Sequence, residues 1–219
     1  GMKSSDNKSY SVGFGLTWNA GTTLGNGVFT LANAGDQFNV DVVLGDQASS
    51  ATGWNGTDLT KAGAGTLVLS AVNTYTGSTT VTGGTLQAGI ANAFAQSSAV
   101  TVGAGGTLDL NGYNQVANNL SGSGSVVLGS AVLTANNSAA TTFSGGISGS
   151  GSVEKTGTGT LTLSGTNTYT GGTTISSGTL VATHGSALGT GSVTNSSALE
   201  LAFAGSETFG NVLSGTGSL

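Results

Sequence analysis

The chain has 219 residues, 40 of them glycine, with no proline, no cysteine and a net charge of −5. Four lysines without a single arginine give no basic stripe for nucleic-acid phosphates and no polybasic attraction to an anionic membrane. No apolar run approaches the roughly 18–20 residues that span a bilayer, so neither nucleic-acid binding nor direct membrane insertion of this segment is expected.

Glycine in this amount with 6% charge could suit a disordered linker. Against that, 37% of residues are hydrophobic, and they fall in alternating strand patterns such as Thr66-Leu-Val-Leu69 and Thr107-Leu-Asp-Leu110. The chain is therefore expected to bury a core.

Residues 1–10 are polar and read as a flexible tag or edge. Gly1-Met2 looks like a processing scar ahead of an introduced start, and no signal peptide is visible, so a piece of a longer protein is expected. Residues 11–60 read as irregular leading β-coils, or alternatively a small cap. They hold both tryptophans, Trp18 and Trp54, and strand-like runs at Val28–Leu31 and Phe38–Leu44.

A regular pattern begins at Lys61 and occupies 61–219. Gly-Thr-Leu recurs at Gly65, Gly84, Gly106, Gly159 and Gly178. A second template, Leu120-Ser-Gly-Ser-Gly-Ser-Val126, returns at Ile147–Val153 and Leu213–Leu219. A period near 20 with strand chemistry means one solenoid coil per period, each burying its inner face by stacking on its neighbours. Roughly ten coils are expected. Leu67, Leu69, Leu161 and Leu163 are placed inward, Thr66, Val68 and Thr162 outward. Asn73 and Asn167 are expected in left-handed corners and Tyr75 and Tyr169 on a following short strand. Thr79/Val81 and Thr173/Ile175 are expected on a third face.

The strongest signal is a long repeat. Lys61–Leu86 returns as Lys155–Leu180 without gaps, identical at 17 of 26 positions. The shared pattern, Lys-x-Gly-x-Gly-Thr-Leu-x-Leu-Ser-x-x-Asn-Thr-Tyr-Thr-Gly-x-Thr-Thr followed by Gly-Thr-Leu, resembles the autotransporter-associated β-strand repeat, or passenger-associated transport repeat. The resemblance implies an all-β, right-handed parallel β-helix within the secreted passenger of a Gram-negative autotransporter. Such a passenger stands at the cell surface, held by an outer-membrane β-barrel elsewhere in the parent chain. The missing cysteines suit a chain that threads unfolded through a narrow pore, where a disulfide-closed loop would jam. Leu219 falls where Val153 stands ahead of the second copy, so another repeat is expected to follow.

Candidate chemistry is sparse. His184, the only histidine, would need an aligning carboxylate and a serine to form a triad; Ser186 is near in sequence, but no nucleophile elbow surrounds it, and an exposed corner histidine is expected. Asp36, Asp41 and Asp46 recur every five residues and could suggest calcium, yet the tandem glycine–aspartate units of a calcium β-roll are absent. Asp36 and Asp46 fit turns, and Asp41 fits a solvated strand face; Asp58 completes the acidic leading region. Asp109 and Glu200 occupy matching Leu-Asp-Leu and Leu-Glu-Leu sites, which reads as decoration rather than a glycosidase dyad. No catalytic, cofactor or metal residue is assigned.

Adhesion, autoaggregation or biofilm formation is therefore the expected role, with possible help to the chain's own secretion. The partner would be the same chain on neighbouring cells, or host and matrix molecules, met by an uncharged wall of Thr, Ser and Asn. The rival reading is a stalk for a secreted protease or carbohydrate-active enzyme whose active domain lies outside these residues.

Overall fold

The computed structural model describes residues 25–46, 54–95 and 99–219. Among them every regular element is a β-strand, and every strand pairing is parallel. The strands form a 14-stranded and a 6-stranded sheet. Successive rungs lie about a period apart: Lys61 stands opposite Val81, then Val102, Gly122, Phe143 and Leu163.

The architecture is thus a parallel β-solenoid of about 8 turns, fewer than the ten expected. The first interval explains part of the shortfall. Val28 pairs with Thr60, so one coil consumes far more chain than the later ones. Residues 1–24 lie outside the described structure, and with them the reading of 1–10 and of Trp18. The leading region that is described stacks on the same ladders, through Gly25–Thr30 on Trp54–Ala62 and Gln37–Val40 on Thr66–Leu69. The second strand ends at Val40, short of the expected Leu44.

Period-2 alternation builds the core. Leu67, Leu86, Leu108, Val126 and Ile147 stack rung on rung inside the smaller sheet, all fully buried. Each such side chain contributes about 1.5–3 kcal/mol relative to exposure. Thr79/Val81 and Thr173/Ile175 point inward from their own strands.

One strand redirects the solenoid. Gln115–Gly122 is eight residues long; its first half supports Val132–Asn136, while its end carries the Val102–Gly122–Phe143 column. Asn119, with φ 46°, bends the strand between the two halves, a conformation asparagine tolerates better than most residues. Its Oδ1 accepts the amides of Ser138 and Ala139 on the next coil.

Candidate interaction surface

The repeated motif is a device for closing corners. In Leu59-Thr-Lys61 the lysine shares the inward phase of Leu59, and Lys61 and Lys155 are both fully buried. The Lys61 ammonium donates to the carbonyls of Ala62, Gly63 and Gly83 at 2.8, 2.8 and 2.9 Å. Lys155 repeats this with Thr156, Gly157 and Ser177 at 2.6, 2.9 and 3.2 Å. The third acceptor in each case belongs to the next coil, so the ammonium ties two coils together. Burial lowers the Lys61 pKa from 10.5 to about 8 and lowers that of Lys155 in the same direction.

Gly63 and Gly157 hold φ 72°, which aims their carbonyls at the ammonium. A β-carbon at Gly84 or Gly178 would collide with carbonyls of the coil beneath. The sequence reading attached no role to these lysines, although the alternation through Leu59 and Lys61 already placed them inward.

Asn73 and Asn167 differ from expectation. Neither is left-handed; among the described residues the non-glycine positions with positive φ are Asn92, Asn111 and Asn119. Both repeat asparagines are buried staples instead. Asn73 accepts from the Leu44 amide at 2.7 Å and donates to the Ala71 and Ala93 carbonyls. Asn167 accepts from the Ile147 amide and donates to the Ala187 carbonyl. Each thereby joins three successive coils, and a buried amide finds partners for its donor and acceptor alike. Tyr75 and Tyr169 are fully buried in non-strand corners, with hydroxyls 2.6 Å from Thr79 and Thr173 Oγ1. Burial outweighs that hydrogen bond at Tyr169 and pushes its pKa well up.

With the motif turned inward, the surface is made by columns of outer residues. On the smaller sheet Asn39, Val68, Gln87, Asp109 and Val127 stack. Val68 faces out as expected but is only 9% exposed, hemmed in by Asn39 and Gln87. Gln87 donates to Asp109 at 2.8 Å and Ser70 to Asn39 at 2.6 Å. A second column, Thr134, Glu154, Thr174, Thr194 and Ser214, adjoins Asn118, Asn136 and Thr156. Here too polar groups bond to one another, as in Asn136 to Asn118 and Ser176 to Glu154.

The third column is different. Thr60, Thr80, Thr101 and Ser121 stack in register; the Gly122–Phe143 pairing continues the row to Thr142, and Thr162 follows. Rungs about 4.8 Å apart make this row roughly 24 Å long. It carries no charge until Glu200, one rung past Val181. Thr101 and Ser121 bond to each other at 3.1 Å, while the hydroxyls of Thr60, Thr80, Thr142 and Thr162 have no hydrogen-bond partner among the described residues. At the strand ends Thr82, Ser144 and Thr183 donate back to carbonyls of the preceding coil, which stiffens the row's flank. Asp58, two residues before Thr60, is held by the amide and hydroxyl of Ser78.

The remaining candidates do not converge. His184 is half-buried rather than exposed; its Nε2 faces the Ser164 carbonyl at 3.2 Å and its Nδ1 the Ser186 hydroxyl at 3.1 Å. Both ring nitrogens are thus engaged without a carboxylate. Glu207 takes the amide of Gly185. Asp36 accepts from the Asn33 amide and side chain, Asp46 clamps Thr76 of the next coil, and Asp41 is exposed. Among the described residues no group of three His, Cys, Asp or Glu is placed to hold a metal ion. Asp109 and Glu200 lie in different sheets.

The passenger-associated-transport-repeat family matches residues 59–88 and 153–182, which spans both lysine clasps, both asparagine staples and both tyrosines. The chain is also similar to the adhesin BmaC autotransporter of Brucella suis biovar 1 (strain 1330), 42% identical over 89 residues, which is 40% of this chain and 3% of that protein.

Proposed function

We propose that this chain, which carries two passenger-associated transport repeats and resembles part of an autotransporter adhesin, is a non-enzymatic passenger segment that mediates cell-to-cell adhesion by self-association. In this reading the solenoid is right-handed, stands outside the cell, and is anchored through an outer-membrane barrel of the parent chain. The observation that carries it is the row Thr60, Thr80, Thr101, Ser121, Thr142 and Thr162. An uncharged, rigid row of hydroxyls meets an equal period in a second copy of the same solenoid. Each new hydrogen bond is worth about 0.5–1.5 kcal/mol net, and many passengers between two cells multiply that small gain.

The test is to display the chain with a transporter barrel on a non-aggregating bacterium and follow settling. Cells carrying the unaltered chain are expected to clump. Thr80→Lys with Thr142→Lys places like charges across the contact and abolishes clumping. Mixing these cells with Thr80→Asp, Thr142→Asp cells restores it. Confirmed display without clumping of the unaltered chain would sink the proposal.

A role in secretion is part of the same reading. Each lysine clasp completes only when the next coil docks, so stacking outside the cell draws more chain outward. Deleting Lys155–Leu180 is expected to lower surface yield; an unchanged yield rules the role out.

A further inference from the structure

Among the described residues, and apart from the last turn, the exposed large apolar residues gather along one corner. Val42 and Val43 are 62% and 57% exposed, Val72 47%, Tyr113 41% and Ile90 40%. They come from four successive coils. The Ser70 and Thr74 amides donate to the Val40 and Leu44 carbonyls, which sets Val72 against Val42. The Gly89 amide donates to the Leu69 carbonyl, and the Asn73 side chain to that of Ala93, bringing Ile90 to the next rung. Gln115 donates to the Ile90 carbonyl and Asn111 to that of Ala88, which adds Tyr113. At about 4.8 Å per rung the ridge runs roughly 14 Å. Buried Asn73 and Gln115 staple the corner beneath it, so it is built on fixed backbone. Exposed apolar residues gathered on one surface, rather than scattered singly, mark an interaction site.

The charge around the ridge selects the occupant. Asp41 precedes Val42, Asp46 closes on Thr76 beside Leu44, and Asp109 takes the Asn111 amide next to Tyr113. The two described lysines, Lys61 and Lys155, are both buried, so among the described residues no ammonium offsets these carboxylates. A second copy would bring the same carboxylates against them, and like charges across an interface repel. A partner with its own apolar face and cationic rim meets both features.

We propose that the ridge Val42–Val43–Val72–Ile90–Tyr113 docks a cationic amphipathic polypeptide segment, whose apolar side chains cover the ridge while its Lys or Arg residues meet Asp41, Asp46 and Asp109. This site is separate from the threonine row and would bind a different partner.

The probe is a labelled synthetic peptide of leucine and lysine with one apolar face, titrated into the full chain. Its leucine/glutamate and serine/lysine counterparts serve as controls. The leucine/lysine peptide is expected to bind about tenfold tighter than either control and to weaken with salt. Combining Val72→Ser, Ile90→Ser and Tyr113→Ser raises its Kd about tenfold or more; Asp41→Asn flattens the salt dependence. Thr142→Lys leaves binding unchanged. Val42→Ser with Val43→Ser, outside any strand, gives the same direction of change should the triple variant fail to fold. Undiminished binding to a folded ridge variant, equal binding of the serine/lysine peptide, or no binding at all overturns the proposal.

Discussion

The two copies of the repeat make the same corners in different places. Lys61 and Lys155 each donate to three carbonyls, and the Asn and Tyr contacts match as closely. Yet Thr66–Leu69 lies in the smaller sheet and its counterpart Thr160–Leu163 in the larger. The ladder that starts at Lys61 reaches Leu163 after five rungs, eight residues beyond Lys155. The sequence repeat is therefore not a whole number of coils, and the second copy is rotated onto another face. The motif specifies a coil and its corner without specifying a side of the solenoid. The outer surface is then set by columns of residues that come from different coils, such as Thr60 over Thr80, rather than by one position of the motif.

If the motif is autonomous, breaking it should cost the same in either place. Lys61→Ala and Lys155→Ala carry the largest expected effect. Each leaves buried carbonyls without their donor, at about 1–3 kcal/mol per orphaned group, and removes a packed side chain. Losses of about 3 kcal/mol or more are expected from urea unfolding, equal within about 1 kcal/mol between the copies. A mild loss at one copy beside a severe one at the other would show that the face, not the motif, sets the energy.

The same lysines give a pH dependence whose sign follows from burial. The ammonium titrates at 10.5 in the unfolded chain and at about 8 for Lys61 when folded. Between those values the unfolded chain holds a proton that the folded chain has released, so stability rises with pH across that window. Tyr169 acts oppositely: its folded pKa is raised, so above pH 10 the unfolded chain loses a proton that the folded chain keeps, and stability falls. The melting temperature should climb from pH 8 and turn over near pH 10. In Lys61→Met the climb should be reduced to the share of Lys155.

Next in size are Asn73→Ala and Asn167→Ala. Each strands one amide and at least one carbonyl in the corner, for roughly 2 kcal/mol. Both asparagines reach the coil before and the coil after their own, so amide exchange should speed up at Leu44 and Ile147, whose N–H groups they accept. Protection unchanged at those two amides would contradict the staple.

Much of the fold was legible because stacking depends on period and alternation. Leu67, Leu69, Leu161 and Leu163 point inward because a period-2 pattern has only one burying phase. The coil count was less legible, since the long first interval from Val28 to Thr60 carries no repeat. Asn73 and Asn167 were misplaced for a chemical reason: asparagine serves both left-handed corners and buried staples, and composition cannot separate them. An uncharged Thr, Ser and Asn wall and an outward Thr162 were legible, but neither which threonines line up in one row nor the apolar ridge was. Thr60, Thr80 and Thr142, or Val42, Val72 and Ile90, occupy no common motif position and meet only through inter-coil register, which a single missing or extra residue per coil would move to another face.

The smallest expected effect exchanges the one outer residue that differs between Thr66–Leu69 and Thr160–Leu163. Val68 is 9% exposed between Asn39 and Gln87, whereas Thr162 is half-exposed between Thr142 and Val181. Val68→Thr puts a hydroxyl where little water reaches and should cost about 1 kcal/mol. Thr162→Val swaps a hydroxyl for a methyl beside another valine and should stay within about 0.5 kcal/mol. Both variants keep the motif intact, so any inequality between them reports the column alone. The adhesion readout should run the other way. Val68→Thr lies off the threonine row and leaves settling unchanged, while Thr162→Val deletes one of its unspent hydroxyls and slows settling at unchanged melting temperature. If Thr162→Val cells settle like the parent while Thr142→Lys cells do not settle, the row acts by excluding charge and its hydroxyls are not the adhesive groups.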